Sequence, residues 1–285
     1  MVVYDSFDLT NNNSYRLNAI CKRAIFPENE QDIRDIFREK NNNRIILGGG
    51  YNVILEKEIY EEDFIIFSTP FSKIEIPQED CLLCAAGCDM KDISEFALQK
   101  GLSGLEIFYD IPSSLGGAVV MNAGAGGEDI KGLLVKVWYY NPVTDSFEVI
   151  TKDEIGFEYR NSFFQKNPNM VICKALLQLN KGDKSTIKAK MEALKAARWF
   201  KQPREYLNAG SVFKRPKGKF VGPMIEELNL KGFGIGGAKI SEKHGGFIIN
   251  YNNAKGKDIV AIISHVKTKV MEKFLIDLEV EQKII

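Results

Sequence analysis

The sequence has 285 residues, of which 45% are hydrophobic, so it is long enough to bury a substantial core in one large domain or two to three small ones. Its 38 Lys and Arg residues balance its 38 Asp and Glu residues, which excludes a global field that attracts nucleic acid or an anionic membrane. No apolar run approaches the roughly 18 residues of a membrane span, and the first residues lack a signal-peptide pattern. We therefore expect a cytoplasmic globular protein.

The first half of the chain predicts helices alternating with strands. PENEQDIRDIFREKN places Ile33, Ile36 and Phe37 at helical spacing, and RIILGGGYNVIL after it predicts a strand, a glycine loop and a second strand. CLLCAAGC predicts a short apolar strand that runs into a glycine turn. Its C-x-x-C spacing is also a zinc-ligand pattern, but no second cysteine pair accompanies it. We therefore expect reduced cysteines and no metal site.

The following elements complete a mixed α and β pattern. MKDISEFALQKGLSGLE predicts a helix ending at Gly101, LLVKVWYYNPVTDSFEVI a hairpin, MVICKALLQL a strand and STIKAKMEALKAARWF a helix. In DIVAIISHVKTKVMEKF, Asp258 is predicted to cap the helix, and His265 falls off the apolar face, as a solvated side chain does. FLIDLEVEQKII alternates like a half-buried strand, with Glu279 and Glu281 on one face.

Two glycine-rich segments, LGGGYN at 47–52 and IPSSLGGAVVMNAGAGG at 111–127, point to a ligand. Without Cβ atoms, successive backbone N–H groups can surround phosphate oxygens. Either segment alone is more typical of a tight turn, and neither has the G-x-G-x-x-G order of a Rossmann fold. Together, with small residues between the glycines, they favour a long ligand with two phosphates and a flat ring, such as a flavin dinucleotide.

Six segments resemble the UDP-N-acetylenolpyruvoylglucosamine reductase family in order and spacing: LGGGYNVIL, GLSGLEIFYDIPSSLGGAVVMNAGAGG, FEYRNSFF, NAGSVFKRP, KISEKHGGFIIN and LEVEQ. The resemblance implies an α+β fold, with a two-lobed FAD-binding region of the PCMH/vanillyl-alcohol-oxidase type and a C-terminal α+β substrate-binding domain. The implied divisions are 1–72 and 73–200 for the two FAD-binding lobes and 201–285 for the substrate domain. The short stretch between YRNS and GSVF indicates the shorter variety, which lacks an extra tyrosine loop.

The family implies an oxidoreductase that acts on a CH–CH group. Its members use NADPH and FAD to reduce UDP-N-acetylglucosamine enolpyruvate to UDP-N-acetylmuramate in peptidoglycan precursor synthesis. A UDP-sugar substrate and a monomeric protein are expected, without a nucleic-acid or membrane partner. One alternative is an FAD-dependent oxidase of the same architecture, acting on a small alcohol or sugar. A second alternative is a non-catalytic flavin- or nucleotide-binding protein.

The resemblance also implies the site residues. Arg160 of YRNS would engage the substrate carboxylate, Ser211 of GSVF would donate the proton, and Glu281 of LEVE would be the assisting acid; Lys214 and Lys239 are candidates to replenish the proton. Considered individually, Arg160 and Glu281 are typical of surface charges, and Ser211 is typical of a turn. The predicted cofactor-binding residues are Gly48, Gly49, Gly50, Tyr51, Asn52, Ile111, Pro112, Ser113, Ser114, Gly116, Gly117, Asn122, Ala123 and Gly124. The predicted substrate-binding residues are Tyr159, Lys201, Arg215 and His244.

Three positions depart from the family pattern near the glycine segments. Tyr51 stands where a serine is usual, and Asp110 and Ser113 stand where glycines are common. Since non-glycine residues tolerate a left-handed backbone less well, and Asp110 adds a negative charge near an anion, the sequence predicts altered or weaker FAD binding.

Overall fold

The computed structural model describes residues 1–40, 43–68 and 71–285. The chain divides into two compact units. Unit 1 consists of Met1–Asp5, Arg23–Gly49 and Glu62–Ala196. Unit 2 consists of Ser6–Lys22, Gly50–Glu61 and Ala197–Ile285. The division at 1–72, 73–200 and 201–285 stays a prediction.

The helices follow the apolar periodicities of the sequence. They are α1 (Glu30–Arg38), α2 (Met90–Lys100), α3 (Leu115–Met121), α4 (Phe163–Lys166), α5 (Lys184–Lys201), α6 (Val221–Glu227) and α7 (Gly256–Phe274). Asn29 caps α1 by accepting a hydrogen bond from the Asp32 N–H at 3.0 Å. Gly101 ends α2 with a φ of 70°. The predicted α1, α2 and α5 are therefore confirmed. The asparagine run at 41–43 also predicts a loop end, of which residues 41 and 42 lie outside the described residues.

All described strands of six or more residues lie within the first 180 residues. They are β1 (Val2–Asp8), β2 (Ile20–Phe26), β3 (Arg44–Leu47), β4 (Val53–Ile54), β5 (Ile59–Ile66), β6 (Ile74–Glu75), β7 (Cys81–Ala85), β8 (Leu102–Ser103), β9 (Gly124–Ala125), β10 (Glu128–Asp129), β11 (Leu134–Asn141), β12 (Ser146–Thr151), β13 (Val171–Gln178), β14 (Asn180–Lys181), β15 (Gly234–Ile235), β16 (Ala238–Ile240), β17 (Ile248–Asn250) and β18 (Lys283–Ile284). The predicted strands on both sides of the first glycine segment are β3 and β4.

Unit 1 is built on an antiparallel sheet of order β12-β11-β13-β7-β6. The predicted hairpin is β11 and β12, closed by the pair Asn141 and Ser146. CLLCAAGC forms β7, as predicted, and all five cysteines are buried free thiols. Burial raises the pKa of the Cys88 thiol to about 12. The described residues contain no group of three or more His, Cys, Asp or Glu side chains arranged to hold a metal ion.

Unit 2 contains a three-stranded antiparallel sheet, β15-β16-β17, and the parallel pair β4 and β18. The predicted apolar face of α7 is buried: Ile259, Ile262, Ile263, Val266 and Val270. Within the part of the chain that the structure describes, no helix has the length and apolar character needed to cross a membrane.

Two predictions for α7 are wrong. The helix begins one turn earlier, with Lys255 at the N-cap; Asp258 instead accepts the backbone N–H of Lys255 at 2.9 Å. His265 is half-buried and stacks on the ring of Phe233, with ring centroids 4.4 Å apart and an angle of 14° between the rings. The helical pattern could not show this partner, because Phe233 comes from another part of the chain.

The C-terminal tail is extended, but it is not the regular half-buried strand that the alternation predicts. It makes one isolated bridge, between Val280 and Phe213, before β18. The buried residues of the tail are Leu278 and the polar Gln282, whose side-chain amide donates to the carbonyl of Ala209 at 3.0 Å. Hydrogen bonding at Gln282 therefore replaces the apolar contact that a strict alternation requires.

Candidate functional site

The first glycine segment and the start of α3 meet at the side chain of Ser114. Its hydroxyl oxygen caps α3 by accepting the N–H of Gly117 at 3.3 Å, and it also accepts the N–H of Gly49 at 3.4 Å. A Cβ atom at Gly48 would lie 2.4 Å from the same oxygen, so a larger residue there would displace the hydroxyl from this position. The structure thus brings together Gly48, Gly49, Ser114 and Gly117 in unit 1.

Other predicted cofactor residues near α3 contact the residue after β7 and the first residue of α2. The N–H of Gly116 donates to the Ala86 carbonyl at 2.9 Å, and a Cβ atom at Gly116 would lie 3.2 Å from the Ala86 Cβ. The carbonyl of Ser113 accepts the N–H of Met90 at 2.9 Å. Ile111 is half-buried at the end of a 3-10 helix, and Pro112 is exposed. These contacts hold the start of α3 against the end of β7 and the start of α2.

The expected backbone strain at Asp110 and Ser113 does not occur. Neither residue has a positive φ, so neither needs the left-handed conformation in which glycine is favoured. The backbone therefore gives no reason for glycine at these two positions, and the weaker FAD binding expected from them stays a prediction.

The remaining residues of the first glycine segment belong to unit 2. Gly50 has a φ of 69°, and a Cβ atom there would lie 1.9 Å from the Asn12 carbonyl oxygen. Asn52 donates from its side-chain amide to the Glu281 carbonyl at 3.2 Å. Tyr51 between them is half-buried. Gly50 is thus required by the turn itself, and Asn52 joins this turn to the C-terminal tail.

Asn122 connects three parts of the loop that follows α3. Its side-chain amide donates to the Glu158 carbonyl at 3.1 Å and to the Asp129 carboxylate at 3.0 Å, and its side-chain oxygen accepts the N–H of Lys131 at 3.3 Å. Asn122 is 3% exposed and has a left-handed φ of 43°, which Asn tolerates better than most residues. Its side chain therefore bonds within the protein, next to Ala123.

Arg160 lies in a turn against the same loop. Its guanidinium donates from Nη1 to the Asn122 carbonyl at 3.1 Å and from Nη2 to the Gly124 carbonyl at 2.7 Å. The guanidinium also lies 5.3 Å from the ring centroid of Tyr159, which is 55% exposed. A Cβ atom at Gly124 would lie 2.1 Å from the Glu128 carbonyl oxygen, so this loop also needs a glycine.

Ser211 and Glu281 lie on neighbouring extended segments of unit 2. Ser211 is exposed and forms an isolated bridge with Phe247. The next residue, Val212, accepts the backbone N–H of Glu281 at 2.8 Å, and Glu281 is half-buried. The structure thus brings these two predicted catalytic residues onto paired segments, whereas Arg160 belongs to unit 1.

The two lysines considered as proton sources both have acidic partners. Lys214 donates to Glu279 at 2.5 Å, and Lys239 donates to Glu242 at 3.1 Å. Lys239 also lies 5.3 Å from the ring centroid of Tyr251. Both ammonium groups are therefore engaged in ion pairs within the protein.

The predicted substrate residues of unit 2 are Lys201, Arg215 and His244. Lys201 is exposed at the end of α5, and the guanidinium of Arg215 lies 4.6 Å from the ring centroid of Phe220. Burial lowers the pKa of His244 below its usual value, and its Nδ1 accepts the N–H of Gly246 at 3.1 Å. That bond requires an unprotonated Nδ1, so His244 is neutral near pH 7.

Sequence reasoning missed the buried Ser162. Its hydroxyl donates to the Val120 carbonyl at 2.7 Å and caps α4. The signal was present in the quoted motif YRNS, where Ser162 follows Arg160 by two residues.

The arrangement of glycine segments without a Rossmann turn belongs to a class of FAD-binding proteins. Residues 21–145 match the model of an FAD binding domain, and residues 202–285 match the C-terminal domain of UDP-N-acetylenolpyruvoylglucosamine reductase. The fold is α+β, with an FAD-binding region and this C-terminal domain.

Relatives and a solved structure extend the match to nearly the whole chain. The UDP-N-acetylenolpyruvoylglucosamine reductase of Thermosipho melanesiensis is 43% identical over 256 residues, which is 88% of this chain and 86% of the relative. That of Francisella tularensis is 38% identical and covers 96% of both chains. The crystal structure of UDP-N-acetylenolpyruvylglucosamine reductase from Thermus caldophilus matches with a TM-score of 0.84 and 27% identity, over 99% of this chain and 98% of that one. The chain belongs to the UDP-N-acetylenolpyruvoylglucosamine reductase family.

Proposed function

We propose that the protein is a flavoenzyme that reduces UDP-N-acetylglucosamine enolpyruvate to UDP-N-acetylmuramate, with NADPH as the hydride donor and FAD as the cofactor. Family membership and the two matched domains support this reaction over a small-alcohol or sugar oxidase. The observation that carries the proposal is the pairing of the Ser211 segment with the Glu281 segment, through the Glu281 N–H and the Val212 carbonyl. A monomeric, cytoplasmic enzyme is part of the proposal.

The glycine segments of unit 1 fit the cofactor. A pyrophosphate needs hydrogen-bond donors that can approach closely, and backbone amides beside glycines supply them. Gly48 leaves no room for a Cβ atom beside Ser114, so the chain retains a close approach of backbone and hydroxyl groups there. We assign FAD to these groups, to Gly50, Tyr51 and Asn52, and to the backbone of 111–124.

When bound, FAD would supply hydride transfer from NADPH to the terminal carbon of the enolpyruvyl group. The carbon next to the carboxylate then needs a proton, while negative charge grows on that carboxylate. Arg160 would hold this charge, because a guanidinium stays protonated at every relevant pH. Ser211 would donate the proton and Glu281 would assist.

The substrate residues have chemistry suited to a sugar diphosphate. Arg215 would form forked hydrogen bonds to phosphate oxygens, and Lys201 would add a second positive charge. Tyr159 and the neutral His244 would contribute a phenol and an imidazole donor. The C-terminal segment 201–285 would thus act as the substrate domain, with 1–72 and 73–200 as the two FAD-binding lobes.

An anaerobic two-step titration of the FAD-loaded protein tests the proposal. NADPH should bleach the flavin absorbance, and UDP-N-acetylglucosamine enolpyruvate should then restore it. Bleaching that only oxygen reverses would favour the oxidase, and protein that cannot be loaded with FAD would exclude a flavoenzyme.

A further inference from the structure

The turn that carries Arg160 is held to the loop after α3 by hydrogen bonds in both directions. Asn122 donates from its side chain to the Glu158 carbonyl at 3.1 Å, two residues before Arg160. The Arg160 guanidinium donates back to the Asn122 carbonyl at 3.1 Å. Two residues after Arg160, the hydroxyl of Ser162 donates to the Val120 carbonyl at 2.7 Å. The turn is thus fixed on both sides of the arginine.

The backbone at Arg160 makes this support necessary. Arg160 has a φ of 53°, a left-handed conformation that is unfavourable for a non-glycine residue. Such a conformation persists where neighbouring contacts determine it. Asn122 and Ser162 supply these contacts from buried positions, with 3% and 0% of their surfaces exposed.

We infer that Asn122 and Ser162 are positioning residues for Arg160: they fix the turn and the carbonyls that orient the guanidinium toward the substrate carboxylate. A displacement of about 1 Å in a reacting group can cost about 100-fold in rate. The catalytic consequence rests on the proposed function, whereas the fixation of the turn does not. The three side-chain bonds of Asn122 end on Glu158, Asp129 and Lys131, so the side chain acts within the protein.

Swapping the side chains of Asn122 and Asp129 tests the hydrogen bond from Asn122 to the Glu158 carbonyl. Asn122→Asp alone places a carboxylate 3.0 Å from that of Asp129 and would destabilise the fold. In the double variant Asn122→Asp/Asp129→Asn, the amide at 129 donates to the carboxylate at 122 and restores this link. The Glu158 carbonyl still loses the Asn122 donor, faces a carboxylate oxygen in its place and keeps the N–H of Asn161 at 3.2 Å. The double variant thus restores the link to position 129 and disrupts the link to the Arg160 turn.

The double variant should keep its FAD content and its rate of flavin reduction by NADPH, and its reoxidation by the enolpyruvyl substrate should be about 100-fold slower. Combining Asn122→Asp/Asp129→Asn with Arg160→Lys should slow reoxidation little beyond Arg160→Lys alone, because both changes affect one interaction. Ser162→Ala should reproduce the selective slowing. The matched control is Asn167→Asp, which removes a side-chain bond to the Phe163 carbonyl of 2.8 Å and should leave both half-reactions unchanged.

Amide hydrogen exchange gives a readout that does not need the substrate. Exchange in the 158–162 segment should rise about ten-fold in the double variant, while β11 and β13 keep their protection. Unchanged exchange in 158–162, or reoxidation at the wild-type rate by the double variant, would overturn the inference. If the substrate fails to reoxidise the flavin of the wild-type protein, the proposed function fails. Amide hydrogen exchange alone then decides whether Asn122 fixes the turn.

Discussion

The backbone N–H of Glu281 donates to the carbonyl of Val212 over 2.8 Å, which places the C-terminal tail beside the segment that begins with Ser211. Two residues earlier in the tail, the Glu279 carbonyl accepts the N–H of Lys214 at 2.9 Å. The tail thus pairs with 212–214 at two points. The two tail carboxylates differ in surroundings, since Glu279 is exposed and Glu281 is half-buried.

Glu281→Gln should slow reoxidation of the reduced flavin by the substrate by about 10²-fold, because the amide cannot supply the proton of a carboxylic acid. Its shape is nearly unchanged, so FAD content and reduction by NADPH should persist. Glu279→Gln is the matched control on the same segment. It removes the exposed ion pair with Lys214 and should cost less than about 1 kcal/mol of stability, with normal turnover. Stopped-flow absorbance of the two half-reactions separates these outcomes; equal reoxidation rates in both variants would contradict the role of Glu281.

Ser211→Ala should leave reduction by NADPH intact and slow reoxidation by about 10²- to 10⁴-fold, since it removes the proposed proton donor. Ser211 is exposed, so the loss of its hydroxyl should barely change the melting temperature. Ser211→Cys, which retains a donor proton, should recover part of the rate. Reoxidation of Ser211→Ala at the wild-type rate would assign the proton to another group.

The elements could be predicted because local periodicity determines them. The α7 apolar face and the β11 and β12 hairpin appear at the expected residues. The failures come from contacts between distant residues. Phe233 covers His265, and the partners of Gln282 bury a polar side chain in the tail.

In the candidate site, too, local motifs could be predicted and contacts between distant residues could not. The motifs indicated that Gly48 and Ser114 are important, but not that the Ser114 hydroxyl would join two segments 65 residues apart. The sequence also could not give the φ of 53° at Arg160, because that angle depends on Asn122 and Ser162 in the surrounding structure.

Gly48→Ala should reduce FAD occupancy, because its Cβ atom would lie 2.4 Å from the Ser114 oxygen and force this hydroxyl away from the N–H groups of Gly49 and Gly117. Overpacking of this kind typically costs about 1–3 kcal/mol. Gly132→Ala is the control: among the described residues, no atom beyond its own neighbours lies within 4 Å of the added Cβ position. The flavin to protein absorbance ratio after loading and desalting checks the prediction. Full FAD occupancy in Gly48→Ala would show that cofactor binding does not depend on the Ser114 hydroxyl contacts.

Arg215→Ala should raise the KM for the UDP-sugar substrate about ten-fold or more and leave the KM for NADPH unchanged, because it removes a forked donor to the diphosphate. Lys217→Ala removes a nearby exposed charge and serves as the control for general electrostatic attraction. Steady-state kinetics at two salt concentrations distinguish the two effects. An equal change in both KM values, or in both variants, would make Arg215 a surface charge only.

Glu148→Gln should lower the melting temperature near neutral pH, and this deficit should vanish in acid. Hydrogen bonds, first from the Tyr139 hydroxyl at 2.6 Å and then from the Thr144 hydroxyl at 2.7 Å, hold the pKa of Glu148 at about 2, below its ordinary 4.5. The folded state therefore binds this proton less readily than the unfolded state does. The stabilisation is complete above pH 4.5 and is lost as pH falls through about 2.

Thermal denaturation of wild-type protein and Glu148→Gln from pH 7 to pH 2.5 measures this linkage. The difference in melting temperature should narrow steadily below pH 4.5, as the wild-type carboxylate takes up its proton. Glu61→Gln, at an exposed position, should track the wild type across the range. A deficit in Glu148→Gln that stays constant with pH would mean that packing around Tyr139, rather than the carboxylate charge, accounts for the stabilisation.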